Sequence, residues 1–393
     1  MSIDLSPLTT LDFTDEDRMV RDVVQKIVEA EIRPRAVELD EEESFPWQQI
    51  RALADNGLMG ILVPESYGGQ QGSHLLYVMV VEEIARACAA TALVYFTNTH
   101  GQMPILMSGT EVQKLRYLPR MASGEWLSAI AVTEPQNGSD VAHMQCRAER
   151  VSDGYVLNGE KIFITTGDKA DVLVVFARTG EQGARGISAF IVERKNGVTT
   201  SHIERKMGVR GSSTAAIRFD DVFVPETQLL GEENRGFGTL MQTFDTTRLS
   251  TAAQALGVAQ GAYDIALDYT LTRHQFGHRI FDFQGMQFRL SEMLADIAAG
   301  RALLYQTARL VDAGKSFTLE ASMVKLWCSE MAGRVTNQAV QALGGYGYIR
   351  EFGVERMMRD AKITQIYDGT NDIQKLIIAR RVLDAVQAGG GVR

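Results

Sequence analysis

The chain has 393 residues, too many for one small core and enough for two or three domains. Hydrophobic residues make up 45% and charged residues 23%, and a formal charge of −9 offers no general attraction for nucleic acid or an anionic membrane, so an anionic cofactor would need local basic residues. Three scattered cysteines, Cys88, Cys146 and Cys328, form no CxxC and no disulfide framework, and no apolar run approaches the roughly 18 residues of a membrane span.

The N-terminus has no basic n-region or apolar h-region, so the cytoplasm is the expected compartment; a mitochondrial-matrix protein after removal of a transit peptide would look the same. In chain order, Thr14 is expected to cap a first helix with Asp15, Glu16 and Asp17 in its opening turn. Val20, Val23, Val24, Ile27 and Val28 then recur at helical spacing until Pro34 interrupts them. Residues 46–56 suit a second helix stopping at Gly57, residues 63–72 a loop, and residues 73–90 and 110–121 further helices.

Beyond about residue 126 the texture turns β-branched and aromatic. DVLVVFA (171–177), ISAFIVE (187–193), TAAIRF (214–219) and VFV (222–224) read as strands, and the Asn158-Gly159 pair is expected to turn a hairpin. Several short strands so close together suggest a compact barrel or sandwich. After Gly236 helices return: apolar and small residues from Leu249 to Leu267 follow the 3, 4, 7 spacing and allow neighbouring helices to approach closely, and 284–313 and 318–343 form two more. The expected fold is mainly α with a central β-domain: helices over 1–125, strands over 126–235, and a helical bundle over 236–393.

Single motifs decide little. No GxGxxG opens a helix after a strand, no Walker loop appears, and no GxSxG marks a serine hydrolase. His274 and His278 are four apart, but the intervening Gly277 argues against a shared helix face and for surface or interface histidines. GGYGY (344–348) reads either as a helix stop or as a close approach to a cofactor. AVTEPQNGSD (131–140) is a loop rich in donors able to meet a polar ring edge or pyrophosphate, and IYDGTND (366–372) places Asp368 just before a last helix.

Taken together and in order, VPESYGG (63–69), AVTEPQNGSD, KIFITTG (161–167), FDTTR (244–248), TRHQFG (272–277), QALGGYGY (341–348) and MMRDAKITQIYDGTND (357–372) resemble the acyl-CoA dehydrogenase family over nearly the whole chain. The resemblance implies an N-terminal helical domain, a central β-barrel or sandwich and a C-terminal four-helix bundle. It also implies a homotetramer with FAD bound partly across a subunit interface, and electron-transferring flavoprotein as acceptor.

By motif, Val132, Thr133 and Ser139 match flavin-edge contacts, and Phe163 and Thr165 match residues beside the isoalloxazine ring. Arg273 and Phe276 match residues that reach the FAD of a neighbouring subunit, while Gln341, Gly345, Thr370 and Asp372 match further FAD contacts. Asp245 and Arg248 match a pair that holds CoA, and Phe96, beside Tyr95, falls where the family forms the floor of its acyl pocket; Tyr367 is a further substrate contact.

The implied reaction removes an α-proton and a β-hydride from an acyl-CoA thioester. A base takes the proton, the N–H of Gly369 helps to hold the thioester carbonyl, and the hydride goes to flavin N5. The family base is usually Glu in a YEGT turn; here it is Asp368, and Thr247 stands where some relatives carry the Glu instead. An Asp is shorter by one C–C bond, about 1.5 Å, which points to an acyl group that is short, branched or cyclic. Nitroalkane oxidases resemble this family and use Asp with oxygen as acceptor, but the intact FDTTR segment favours CoA. The reading from another class is an inert flavin-binding scaffold.

Overall fold

The computed structural model describes residues 13–388, so the outer ends of the first and last expected domains, 1–12 and 389–393, lie outside the described residues. Thr14 caps α1 (Asp15–Ile27) reciprocally: its hydroxyl accepts from the Asp17 N–H, and the Asp17 carboxylate accepts from the Thr14 N–H. Pro34 bends the path rather than ending it. A π turn, Val28–Ile32, and a 3-10 turn, Arg33–Arg35, absorb its missing donor before α2 (Ala36–Glu41). After α3 (Trp47–Asp55) the chain turns at Gly57 with φ 72°, as its sequence suggests.

The helix expected over 73–90 is α4 (His74–Ala87), and at an extended Cys88 it meets α5 (Ala89–Ser108), for which no expectation arose from the sequence. Residues 89–105 are all buried, so α5 shows no polar face from which to read a period. Helix α6 (Glu111–Ala122) follows behind a Thr110/Gln113 capping box.

The strands are β1 (Ser128–Ala131), β2 (Arg147–Val151), β3 (Gly154–Thr165), β4 (Val172–Arg178), β5 (Ile187–Glu193), β6 (Thr199–Ile203), β7 (Thr214–Pro225) and β8 (Leu229–Leu230). They run in the order β6-β7-β3-β2-β4-β5-β8, with β1 parallel to β4. Strand β4 is buried on both faces: Leu173, Val175 and Ala177 enter the core inside the sheet, while Val172, Val174 and Phe176 pack against α5 and α6.

The expected hairpin at Asn158-Gly159 is incorrect. That pair lies inside β3, and the chain reverses instead between β2 and β3, with Val151 opposite Gly154. Gly159 sits at a bulge with φ 144°, where a Cβ would come within 2.8 Å of the Cys146 Cα. The Asn158 amide exchanges two hydrogen bonds with Asp221, donating to its carboxylate (3.0 Å) and accepting from its N–H (2.9 Å). The two strand-like runs at 214–219 and 222–224 are likewise one strand, β7, passing through Asp221 at φ 49°.

Helix α7 (Gly236–Thr272), 37 residues long, is the spine of the helical half. It lies against α4 so closely that a Cβ on Gly257 or Gly261 would meet the carbonyl of Glu82 or Arg86 at 2.3 Å. A two-stranded ribbon, β9 (His274–Gln275) and β10 (His278–Arg279), carries both histidines exposed. Then come α8 (Gln284–Asp312), α9 (Thr318–Leu343), the short α10 (Gly345–Tyr348), α11 (Val354–Ile363) and α12 (Asn371–Gln387). The N- and C-terminal helices share one hydrophobic core, and α5, α6 and α7 join it to the sheet. No helix among the described residues is long and apolar enough to cross a membrane.

Candidate active site

Between α11 and α12 the backbone makes a tight turn in which Asp368 (φ 52°) and Gly369 (φ 86°) are both left-handed. Asp is among the few non-glycine residues that accept this conformation readily. Lys325 of α9 pins the turn, donating to the Gly369 carbonyl (2.8 Å) and the Asn371 side chain (2.9 Å). Gln374 donates to the same carbonyl (2.9 Å), and Thr370 caps α12, accepting from the Ile373 N–H. The Asp368 carboxylate then accepts a 2.6 Å hydrogen bond from the Thr251 hydroxyl on α7. Burial brings the Lys325 ammonium down to about 8, with the Asp368 charge pulling the other way.

The Asp368 charge is also felt by Tyr77 of α4, by His100 of α5 and by Arg248 of α7. The Tyr77 hydroxyl shares a 3.0 Å hydrogen bond with Ser250. Phe96 is fully buried, its ring 4.9 Å from the His100 imidazole. The His100 Nε2 is buried with no hydrogen-bond partner, and burial lowers the imidazole to about 4, so it is neutral at pH 7. A buried polar atom left without a partner costs about 1–3 kcal/mol. Tyr367, next to Asp368, donates to Gln254, whose amide in turn donates to the Ala89 carbonyl at 2.9 Å.

On the same face of α7, Arg248 is buried and donates to Asp245 at 2.5 Å; Asp245 also accepts from Thr318 of α9 at 2.6 Å. Burial lowers the Arg248 guanidinium against the pull of Asp245 and Asp368, and its Nε has no partner. Thr247 is buried and donates to the Phe244 carbonyl at 3.2 Å, offering no carboxylate.

A second cluster lies on β3, inside the sheet. Lys161, fully buried on β3, donates to the Glu134 carboxylate and to the Val132 carbonyl, each at 2.8 Å. Glu134 also accepts from the N–H groups of Gln145 (2.5 Å) and Cys146 (2.9 Å), and the Ile162 N–H donates to the Thr133 carbonyl (2.9 Å). The loop through Val132 and Thr133 is therefore clamped to β3. Beside it a second bulge, between Lys161 and Ile164, holds Phe163 at φ 57° and turns its ring outward, 59% exposed. The hydroxyls of Thr133, Ser139 and Thr165 have no hydrogen-bond partner among the described residues. An exposed aromatic face with the unpartnered hydroxyls of Thr165 two residues on and of Thr133 on the backbone segment bonded to Ile162 fits a flat ring with a polar rim, such as a flavin.

The remaining residues picked out by the sequence lie elsewhere. Arg273, Gln341 and Gly345 line a groove of about 500 Å³, with the Arg273 guanidinium carbon 5.5 Å from the Tyr346 ring centroid. Phe276 is 90% exposed, and Asp372 is an exposed first-turn residue paired with Lys375 at 3.1 Å. Arg273 is the C-cap of α7, and at 1.5 Å per residue it stands roughly 37 Å along the helix from Arg248. Within one chain Arg273 and the groove it lines with Gln341 and Gly345 stand apart from Asp368, whereas Asp372 follows it in the first turn of α12.

Three consecutive family models match: the acyl-CoA dehydrogenase N-terminal domain over 14–125, the middle domain over 129–222 and the C-terminal domain over 234–383. The chain belongs to the acyl-CoA dehydrogenase family. It is 46% identical over 374 residues to a cyclohex-1-ene-1-carbonyl-CoA dehydrogenase of Geobacter metallireducens, covering 94% of this chain and 98% of that one. It is 42% identical over 376 residues to the caffeyl-CoA reductase-Etf complex subunit CarC of Acetobacterium woodii, covering 94% and 99%. The butyryl-CoA dehydrogenase structure from Megasphaera elsdenii superimposes with a TM-score of 0.93 at 39% identity, covering 98% of this chain and 100% of that chain. Acyl-CoA dehydrogenases are FAD flavoproteins, and the relatives are oxidoreductases acting on CoA thioesters.

In this member of the family, the motifs did not disclose the residues that hold the site together. Lys161 and Glu134 lie inside the quoted motifs, and a lysine amid the apolar run KIFI could have signalled a buried partner. Lys325 and Thr251 gave no such signal, because a polar residue within a long helix reads as surface or packing. His100, between Thr99 and Gly101 in a buried helix, was also missed.

Proposed function

We propose that this enzyme oxidises an acyl-CoA thioester to the α,β-enoyl-CoA, with Asp368 taking the α-proton. What carries the reading is the fixed carboxylate: a left-handed turn presents it, Thr251 holds it at 2.6 Å, and the buried Arg248 lies within its electrostatic reach. Next to it the Gly369 N–H donates to no carbonyl among the described residues and is free for the thioester oxygen as negative charge builds there. Arg248, braced by Asp245, supplies positive charge for the CoA moiety. Phe96 closes the acyl pocket, in keeping with a short, branched or cyclic chain.

Thr133, Ser139, Phe163 and Thr165 hold the FAD ring, with Val132 behind them. When bound, FAD accepts the β-hydride at N5. Arg273, Phe276, Gln341 and Gly345 serve the FAD of a neighbouring subunit in a homotetramer, which accounts for their distance from Asp368. Thr370 and Asp372 complete the cofactor contacts, and Tyr367 the substrate wall. The likeness to an Etf-complex subunit supports electron-transferring flavoprotein as the acceptor.

Asp368→Asn should lower the rate of flavin bleaching by acyl-CoA about 10²- to 10⁴-fold while the purified protein stays yellow. Near-normal bleaching in that variant would assign the base elsewhere. An anaerobic titration with straight, branched and cyclic acyl-CoAs identifies the acyl class, and a flavin untouched by every thioester would overturn the reading.

A further inference from the structure

Helix α5 has two faces with different tasks. Asn98 and Gly101 meet Ser128 of β1: the Asn98 side chain accepts from the Ser128 N–H at 2.9 Å, and a Cβ on Gly101 would strike the Ser128 hydroxyl at 2.2 Å. Gln102 belongs to the same side, donating to the Met59 carbonyl at 2.9 Å. At about 100° per residue, Phe96 and His100 fall on the opposite side. The helix adjoins the Asp368 turn through packed neighbours: the Tyr95 ring lies 6.2 Å from that of Tyr77, Tyr77 shares a hydrogen bond with Ser250, and the next residue, Thr251, holds the Asp368 carboxylate, whose charge His100 also feels. His100 is 4% exposed, and its Nε2 is unpartnered. A hydrocarbon side chain would fill this place without leaving a buried nitrogen unsatisfied.

We propose that His100 is a specificity-determining residue whose Nε2 hydrogen-bonds a hydroxyl on the acyl chain, so that the preferred substrates are hydroxyacyl-CoA thioesters. The inference rests on the acyl-CoA reading given above and narrows it. A hydroxyl can both donate and accept, so it satisfies Nε2 in either tautomer of a neutral imidazole. A carboxylate is disfavoured there by the charge of Asp368, and a bare alkyl chain leaves Nε2 as it is. The hydroxyl lies beyond the Cα–Cβ pair and takes no part in the redox step.

The test compares isosteric pairs in which a terminal hydroxyl replaces a methyl: 4-hydroxybutyryl-CoA against pentanoyl-CoA, and 5-hydroxypentanoyl-CoA against hexanoyl-CoA. The readout is the second-order rate of anaerobic flavin bleaching by the FAD-loaded enzyme. Wild type should favour the hydroxyl member of at least one pair by about tenfold or more, since a site built to bond a hydroxyl rejects its hydrocarbon mimic. His100→Leu should reverse the preference. His100→Asn, which keeps a donor in a smaller side chain, should retain part of it and guards against a leucine variant that does not fold. A wild-type ratio at or below one, or a ratio unchanged in both variants, overturns the proposal. If none of these four thioesters bleaches the flavin while another of the straight, branched and cyclic acyl-CoAs does, this inference falls alone; if no thioester bleaches it, the acyl-CoA reading falls and this inference with it.

Discussion

Among the described residues the Asp368 carboxylate has one side-chain hydrogen bond, the 2.6 Å contact from Thr251, and that contact sets its aim. A misplacement of about 1 Å at a reacting group can cost about 10²-fold in rate. Thr251→Val keeps the branched shape and removes the hydroxyl. It should lower the rate of flavin reduction by acyl-CoA about 10- to 100-fold with FAD retention unchanged, measured by stopped-flow absorbance. A wild-type rate would show that the turn alone orients the base. The turn itself was legible, because YDGT combines the left-handed preferences of Asp and Gly ahead of a Thr cap. Its anchor was not, because a threonine buried in a helix ordinarily donates to its own backbone.

His100 gives a separate expectation, on stability. Its ordinary value is 6.5 and burial lowers it to about 4, so the folded state binds the proton less readily than the unfolded chain. The contribution is full above about pH 6.5 and is lost as pH falls through 4, a difference of about 3 kcal/mol. His100→Leu should therefore lose less melting temperature between pH 7 and pH 4 than wild type does. Parallel acid limbs in the two proteins would contradict this.

At the scale of elements, the loop after β1 depends on a charge pair inside the sheet. Lys161→Met would leave Glu134 buried without its cation, although two backbone N–H groups would still serve it. Breaking such a pair costs about 3–5 kcal/mol, so the variant should unfold at lower denaturant and release FAD on gel filtration. A variant that keeps both its midpoint and its yellow colour would show that the clamp is dispensable. Legibility at this scale followed periodicity. Helices α8 and α9 matched their expected spans to within a residue or so because each exposes one side to water. Helix α5 went unseen because it exposes almost none. Asn158-Gly159 misled because the same conformational freedom that closes a hairpin also admits a bulge, and only the neighbour at Cys146 decides between them.

For the whole molecule, the sequence carried the order of helices, sheet and helices, and collinear motifs carried the family. It could not show how far apart those motifs stand. Helix α7 keeps Arg248 within electrostatic reach of Asp368 and carries Arg273 roughly 37 Å away along the helix, so on the proposed reading one polypeptide would supply halves of two different sites. Two dead chains should thus be able to rescue each other. Asp368→Asn and Arg273→Glu, each inactive when expressed alone, should regain dehydrogenase activity when co-expressed, because some mixed oligomers join the intact base of one chain to the intact arginine of the other. Failure of this complementation, with mixed oligomers verified by differential tagging, would mean that each subunit works alone.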